Sequence, residues 1–285
     1  MIPGSFDYVA PTTVAEALQV LAAGGEDAKV LGGGQSLMPV LRLRMAAPTL
    51  VVDLNKVAEL RGIAVEGDEL VIGAMTTHHD VLHSPLVAEH AALLALTTAT
   101  VADPQIRHRG TLGGALVHAD PAGDLGAPVL ALDASLVLAS PTGTRTVAAA
   151  DFFQDLFTTA VQPGELLTQV RLPRHTGWGA RYEKFQRVAQ AWSVVAVAAA
   201  VRLEGGTIAQ AKVALTNMAS TPVRAAAVEA ALLGQPATAE SVRAAAAQAG
   251  VGTSPGSDVG ADAAYRTHLA GVLTRRAVSA AAGIS

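Results

Sequence analysis

Three glycines in a row, Gly32-Gly33-Gly34, follow the short β-prone run Lys29-Val30-Leu31, and a glycine pair, Gly113-Gly114, follows Thr111-Leu112. Glycine reaches positive φ as readily as negative φ, so such runs break a regular element and bend the chain. Both stretches read as places where a strand-like run gives way to a turn. Consecutive glycines can gather several backbone N–H groups in one concavity, with no Cβ to block an anion. Gln35 and Ser36 add polar side chains to the first stretch, and Thr111 adds a hydroxyl to the second. Taken alone, each also reads as an ordinary tight turn. Neither matches the commoner nucleotide fingerprints: no Gly-x-Gly-x-x-Gly opens a helix, no Gly-x-x-x-x-Gly-Lys-Ser/Thr is present, and neither loop contains Lys or Arg. Neutral backbone donors would have to hold any bound charge.

The 285 residues include no cysteine. That excludes a disulfide framework, a thiolate nucleophile and a cysteine-ligated iron–sulfur cluster within this chain. Twenty Lys and Arg are dispersed among 24 Asp and Glu, giving a net charge of −4 and no concentrated basic surface for nucleic acid. Hydrophobic residues make up 51% of the chain, enough for one large core or two moderate ones. The most apolar run, Val194 to Val201, spans eight residues, against the roughly 20 that cross a bilayer as a helix. The first residues lack a basic region followed by a long apolar one, so a cytoplasmic chain is the simplest expectation.

Apolar spacing predicts a helix over Thr13 to Ala23, ended by Gly24-Gly25, and a helical turn or two from Leu37 to Arg44. Leu50 to Leu54 reads as a strand, and Ile63 to Gly73 as a hairpin turning at Gly67-Asp68. A short helix capped by Thr76 or Thr77 and a longer one over Leu86 to Thr98 follow. Ser135 to Ala139 and Leu166 to Leu172 are further strands, with Pro128 to Leu132 helical. The Pro- and Gly-containing run Pro173 to Gly177 is the expected boundary, dividing residues 1–176 (subdomains about 1–56 and 57–176) from 177–285. Beyond it, Trp192 to Val201 and Gln210 to Leu215 suggest antiparallel strands joined through Gly205-Gly206. Helices are expected over Ala225 to Leu233, Val242 to Ala249 and Tyr265 to Ala281, an α+β arrangement.

Two longer blocks carry a resemblance. Leu31-Gly32-Gly33-Gly34-Gln35-Ser36-Leu37-Met38-Pro39 and the stretch from Arg107 through Thr111-Leu112-Gly113-Gly114-Ala115 to Asp124 closely resemble the FAD-binding medium subunit of molybdenum hydroxylases, the xanthine dehydrogenase family. The nearest likeness is to the aerobic carbon monoxide dehydrogenase branch. The opening Ile2 to Tyr8 and the later Tyr182-Glu183-Lys184-Phe185 fit the same family, so the likeness spans nearly the whole chain. It implies an α+β chain: a two-subdomain FAD-binding fold of the vanillyl-alcohol-oxidase/PCMH type, then a small C-terminal domain of antiparallel sheet and helices.

The resemblance implies FAD as cofactor, with Leu31, Gly32, Gly33, Gly34, Gln35, Ser36 and Leu37 on one side of its pyrophosphate. Gly110, Thr111, Gly113, Gly114 and Ala115 approach from the other, Ala115 offering only backbone where many relatives have Asn or Ser. Val101, Ala102 and Ile106 line the site on the same ground. Asp120 and Asp124 resemble carboxylates near the ribose and adenosine end, and Lys184 and Trp192 resemble positions near the flavin ring. Read without the likeness, Trp192 is simply core at the start of an apolar run. Implied partners are a molybdopterin-binding large subunit and a small subunit with two [2Fe–2S] clusters, in a dimer of heterotrimers that passes electrons to an external acceptor such as a quinone or NAD. The expected location is the cytoplasm, with peripheral attachment to the inner membrane face through the complex as the alternative.

Other constellations carry less. His79 and His83, four apart beside His78 and Asp80, can share a helical face, but no further ligand stands at supporting spacing, so no metal site is expected. Ser36 with His108 or His118 and an aspartate lacks the Gly-x-Ser-x-Gly elbow of a hydrolase. Arg107 and Arg109 can balance a bound anion, face a partner or pair with Asp103. No catalytic residue is expected. A stand-alone FAD-dependent oxidoreductase and a non-redox structural subunit are the alternative functions.

Overall fold

The computed structural model describes residues 2–284 and holds three apolar cores. The first is built on a parallel sheet of β1 (Asp7–Val9), β2 (Ala28–Leu31) and β3 (Leu50–Asp53), in the order β1-β3-β2. Helix α1 (Val14–Gly24) crosses between the first two strands and buries Ala17, Leu18 and Leu21 against Val52 and Leu54. Its start is fixed by Thr13, whose hydroxyl accepts from the Glu16 amide at 3.1 Å. β2 delivers the chain into the first glycine stretch, and α2 (Leu37–Arg42) follows at once.

The hairpin β4 (Ile63–Glu66) and β5 (Glu69–Gly73) begins a second, antiparallel sheet. A helical excursion then comprises α3 (His78–His83), α4 (Pro85–His90), α5 (Ala92–Ala99), α6 (Pro104–Arg107), α7 (Leu112–His118) and α8 (Gly126–Ala131). The chain returns through β6 (Ser135–Ser140), β7 (Gly143–Ala148), α9 (Ala149–Phe152), the small hairpin β8 (Phe153–Asp155) with β9 (Thr158–Thr159), and β10 (Leu166–Pro173). The sheet order β4-β5-β10-β6-β7 places the last strand in the middle. The excursion helices pack their apolar sides on this sheet to form the largest core, around Leu94, Leu116, Leu138, Phe152 and Val170.

The last unit is a meander of β11 (Gly179–Phe185), β12 (Val195–Glu204), β13 (Thr207–Thr216) and β14 (Val223–Arg224), followed by α10 (Ala226–Leu232), α11 (Ala239–Ala246) and α12 (Ala263–Ala281). Its central strand explains the apolar run in the sequence. Val195, Val197, Ala199 and Val201 face the core made with α10 to α12, while Ala196, Ala198 and Ala200 join the large core of the preceding region. Side chains alternate across a strand, so a strand buried on both faces is apolar throughout. Alanine on the second face lets α5 and α8 approach closely.

Two expected elements are corrected. The single helix over Leu86 to Thr98 is two, α4 and α5, because Ala91 leaves the helical region at φ −145° and ψ 49°. The His90 carbonyl accepts from the His175 amide at 2.8 Å instead of continuing the helix, and the His90 ring meets the Thr176 hydroxyl at 2.7 Å. The second glycine stretch is not a loop after a strand. It follows the helical turn α6 and forms the first turn of α7, with Thr111 as N-cap accepting from the Gly114 amide at 3.1 Å.

Candidate functional site

The two glycine stretches, far apart in sequence, lie against each other. A Cβ on Gly33 would stand 2.1 Å from the Arg109 carbonyl oxygen and 2.6 Å from Gly110 Cα. A Cβ on Gly32 would stand 3.2 Å from the Thr111 hydroxyl and 3.9 Å from Gly114 Cα. At Gly33 only glycine permits this approach, Gly32 is merely tight, and Gly34 adds a turn at φ +76°.

The stretches differ in what they offer a ligand. Among the described residues, the amides of Gly33, Gly34, Gln35 and Ser36 donate to no protein group. In the second stretch the amides are already used: Leu112 donates to the Thr76 carbonyl, Gly113 to Ala74, Gly114 to the Thr111 hydroxyl and Ala115 to the Thr111 carbonyl. The symmetric picture of two amide nests is therefore corrected to one open nest, faced by the Thr111 hydroxyl and the bare surface of Gly114, which is exposed. The Gln35 side chain turns back onto the Gly33 carbonyl at 3.0 Å. Leu31 and Leu37 close the two ends of the first stretch, both half-buried.

Beyond the nest, Asp120 receives the Ala122 amide at 2.9 Å on Oδ1, and Oδ2 has no partner among the described residues. Asp124 is a buried hub: Tyr182 and Ser193 donate to Oδ1, each at 2.8 Å, and the Lys184 ammonium meets Oδ2 at 2.8 Å. Lys184 also reaches the Thr100 carbonyl at 3.3 Å. Burial, with the adjacent carboxylate second, holds the Tyr182 phenol well above its ordinary pKa, so it stays a donor. The resemblance placed Asp124 and Lys184 near opposite ends of a dinucleotide. The ion pair brings them to one location, between β11, which packs on α5, and the loop that leads into α8.

Val101 and Ala102 lie half-buried between α5 and α6, with Ala102 held at φ +41°. Arg107 closes this turn by donating to the Val101 carbonyl at 2.8 Å, and Asp103 caps α6 through the Ile106 amide at 2.8 Å. Trp192 is 58% exposed in the connection before β12, which rules out the reading of it as core. Gln186, two residues beyond Lys184, has a buried Oε1 with no partner among the described residues.

Three histidine rings gather without forming a ligand set. The His79 ring stacks on His108 at 3.9 Å and lies 4.2 Å from His83, and no group of three or more ligating side chains among the described residues could hold a metal ion. His78 is buried against Gly110 with Nδ1 unpartnered among the described residues, and its pKa is lowered to about 4 by burial first and by Arg107 second.

Sequence reasoning missed the support behind the nest. Tyr8 donates to Asp53 Oδ2 at 2.6 Å, Asp53 Oδ1 accepts from the Asn55 amide at 2.9 Å and its side chain at 2.6 Å, and Asn55 donates to the Gly32 carbonyl at 3.2 Å. The spacing Asp53-x-Asn55 at a strand end is an Asx-turn signal that could have been read.

Comparison with known proteins agrees along the whole length. Residues 4–175 match the family model described as the FAD binding domain in molybdopterin dehydrogenase, and residues 180–281 match the CO dehydrogenase flavoprotein C-terminal domain. The chain is 42% identical over 284 residues to the carbon monoxide dehydrogenase medium chain of Hydrogenophaga pseudoflava, covering 99% of this chain and 98% of that one. A solved structure of carbon monoxide dehydrogenase from that organism superposes with a TM-score of 0.96 at 44% identity, covering 99% of this chain and 98% of that one. Quinoline 2-oxidoreductase from Pseudomonas putida 86 superposes at 0.95 with 33% identity, covering 99% of each chain. The chain belongs to the FAD-binding medium subunits of the molybdenum hydroxylases, the family of carbon monoxide dehydrogenase and xanthine dehydrogenase.

Proposed function

We propose that the chain holds the FAD pyrophosphate on the amides of Gly33, Gly34, Gln35 and Ser36, with the Thr111 hydroxyl and the Gly114 backbone facing it. The observation that carries this reading is the asymmetry between the stretches: four amides without a protein partner stand beside a glycine surface whose own amides are spent. Anions are held well by such convergent neutral donors. Leu31, Gly32 and Leu37 shape the nest, while Gly110, Gly113 and Ala115 set the opposing surface. The free oxygen of Asp120 suits a ribose hydroxyl.

The ring end is assigned to the far side of the hub. Ser193 binds Asp124, so Trp192 beside it stands near the Asp124–Lys184 pair, with an aromatic face free to cover a flavin. The orphan Gln186 oxygen supplies an acceptor for a ring N–H. Val101, Ala102 and Ile106 complete this wall. FAD, when bound, exchanges electrons one or two at a time, which suits a carrier between one-electron clusters and a two-electron acceptor. With no cysteine of its own, the chain takes its electrons from a partner's [2Fe–2S] clusters, while a large molybdopterin-binding subunit oxidises the substrate. The substrate class follows that subunit: CO or an N-heterocycle. Val188 and Trp192, both exposed, offer an apolar face to such a partner. The assembly is a dimer of heterotrimers, its domains here divided near residue 176. No helix among the described residues is long and apolar enough to cross a membrane.

Anaerobic reduction of the purified native complex tests this route. The iron–sulfur absorbance is expected to bleach before or with the flavin band, and an added quinone or NAD to reoxidise the flavin first. A complex with no flavin, or one whose flavin never changes redox state with the clusters, contradicts it.

A further inference from the structure

The first glycine stretch has to present its amides in one direction although glycine resists no peptide rotation. In a planar trans peptide, the carbonyl of one residue and the N–H of the next point opposite ways. Fixing the carbonyl therefore aims the amide. Three successive carbonyls of the stretch are fixed: Gly32 by the Asn55 side chain at 3.2 Å, Gly33 by the Gln35 side chain at 3.0 Å, and Gly34 by the Met38 amide at 3.1 Å. The amides turned away by these three contacts are those of Gly33, Gly34 and Gln35.

Two of the anchors are local, one within the stretch and one from the helix that follows it. Asn55 alone comes from elsewhere in the chain, and its orientation is determined. Asp53 is acceptor-only when ionised, so the Asn55 group 2.6 Å away is the NH2, leaving its Oδ1 toward Arg61 Nη2 at 3.4 Å. Tyr8 on the neighbouring strand β1 occupies the remaining Asp53 oxygen. Every group in the chain from Tyr8 to Gly32 has a defined donor or acceptor role.

We infer that Asn55, oriented by Asp53 and Tyr8, is a positioning residue that aims the Gly33 amide at the FAD pyrophosphate. The inference rests on the proposed placement of the pyrophosphate at this nest. Without Asn55 the Gly32–Gly33 peptide is free to rotate, and one charge-assisted bond to phosphate is no longer prearranged.

The test uses the chain in its native complex, with the FAD release rate, the 31P resonances of bound FAD, and the melting temperature as readouts. Asn55→Ala is expected to speed FAD release about 10-fold or more, the effect of one bond to a charged group, and to move a pyrophosphate resonance. Tyr8→Phe keeps the Asn55–Asp53 contact and is expected to act in the same direction more weakly, and it decides the matter if Asn55→Ala does not fold. Wild-type release with unmoved resonances overturns the inference. So does a lowered melting temperature with the resonances unmoved, since that is a merely structural role. Gly33→Val serves as the control: if it releases FAD and Asn55→Ala does not, only the positioning role falls, and if neither affects FAD, the placement of the pyrophosphate falls with it.

Discussion

Lys184 and Asp124 meet at 2.8 Å with their side chains 6% and 5% exposed, Lys184 coming from β11 and Asp124 from the loop before α8. The pair ties the C-terminal sheet to the FAD-binding region at the point where the flavin ring is proposed to lie. Removing one member of a buried pair leaves an uncompensated charge, typically at a cost of about 3–5 kcal/mol. Lys184→Met is therefore expected to destabilise the chain by that order, measured by urea unfolding, while Asp124→Asn with Lys184→Met recovers part of the loss. Equal stability of Lys184→Met and wild type would show that the charge is not held as described.

Gly113 has no room for a side chain. Its added Cβ would stand 2.6 Å from Ala74 Cβ and 2.7 Å from the Ala74 carbonyl oxygen, so Gly113→Ala wedges α7 away from the end of β5. Overpacking of this kind costs about 1–3 kcal/mol. Thermal melting of the variant is expected to show it, together with weaker FAD retention. The same substitution at Gly4, where a Cβ meets nothing within 4 Å among the described residues, is the neutral comparison.

His78 makes stability depend on pH. Its folded pKa is lowered to about 4 by burial and then by Arg107, against about 6.5 when unfolded. Between those values the unfolded chain binds a proton that the folded chain refuses, so stability falls as pH drops from about 6.5 toward 4 and this contribution levels off below. The full loss is about 3 kcal/mol. Urea unfolding at several pH values is expected to give a shallower slope for His78→Phe than for wild type across that window. Parallel slopes count against a neutral, buried His78.

Trp192 separates the flavin role from a packing role. Because its side chain is exposed, Trp192→Phe is expected to leave the melting temperature of the apo chain nearly unchanged, as surface substitutions usually do within about 0.5 kcal/mol. Adding FAD to the apo chain is expected to quench tryptophan fluorescence strongly in wild type and much less in the variant. Equal quenching assigns the effect to Trp178 and removes Trp192 from the ring.

Local signals in the sequence located most elements, because caps and turns are local: Thr13 and Thr77 each cap the helix that follows, whereas Thr111, a cap as well, reads in the sequence as part of a loop. The break at Ala91 was not legible, since its cause is the His175 amide, far along the chain, taking the His90 carbonyl. The family blocks pointed to FAD, and the comparisons agree. What the blocks could not carry was direction: whether an amide in a glycine run is free or spent depends on contacts such as Gly113 with Ala74 and Asn55 with Gly32. The pairing of Asp124 with Lys184 likewise required the packing of two regions on each other.

The most direct test of the chain as the FAD-carrying subunit is the flavin content of the purified complex, counted per copy of this chain, for wild type and Gly33→Val. A Cβ at Gly33 falls within 2.1 Å of the Arg109 carbonyl oxygen, so the variant must part the two glycine stretches. One FAD per chain in the wild-type complex and little or none in an otherwise assembled variant is the expected result. A flavin-free wild-type complex, or full flavin content in Gly33→Val, contradicts the assignment.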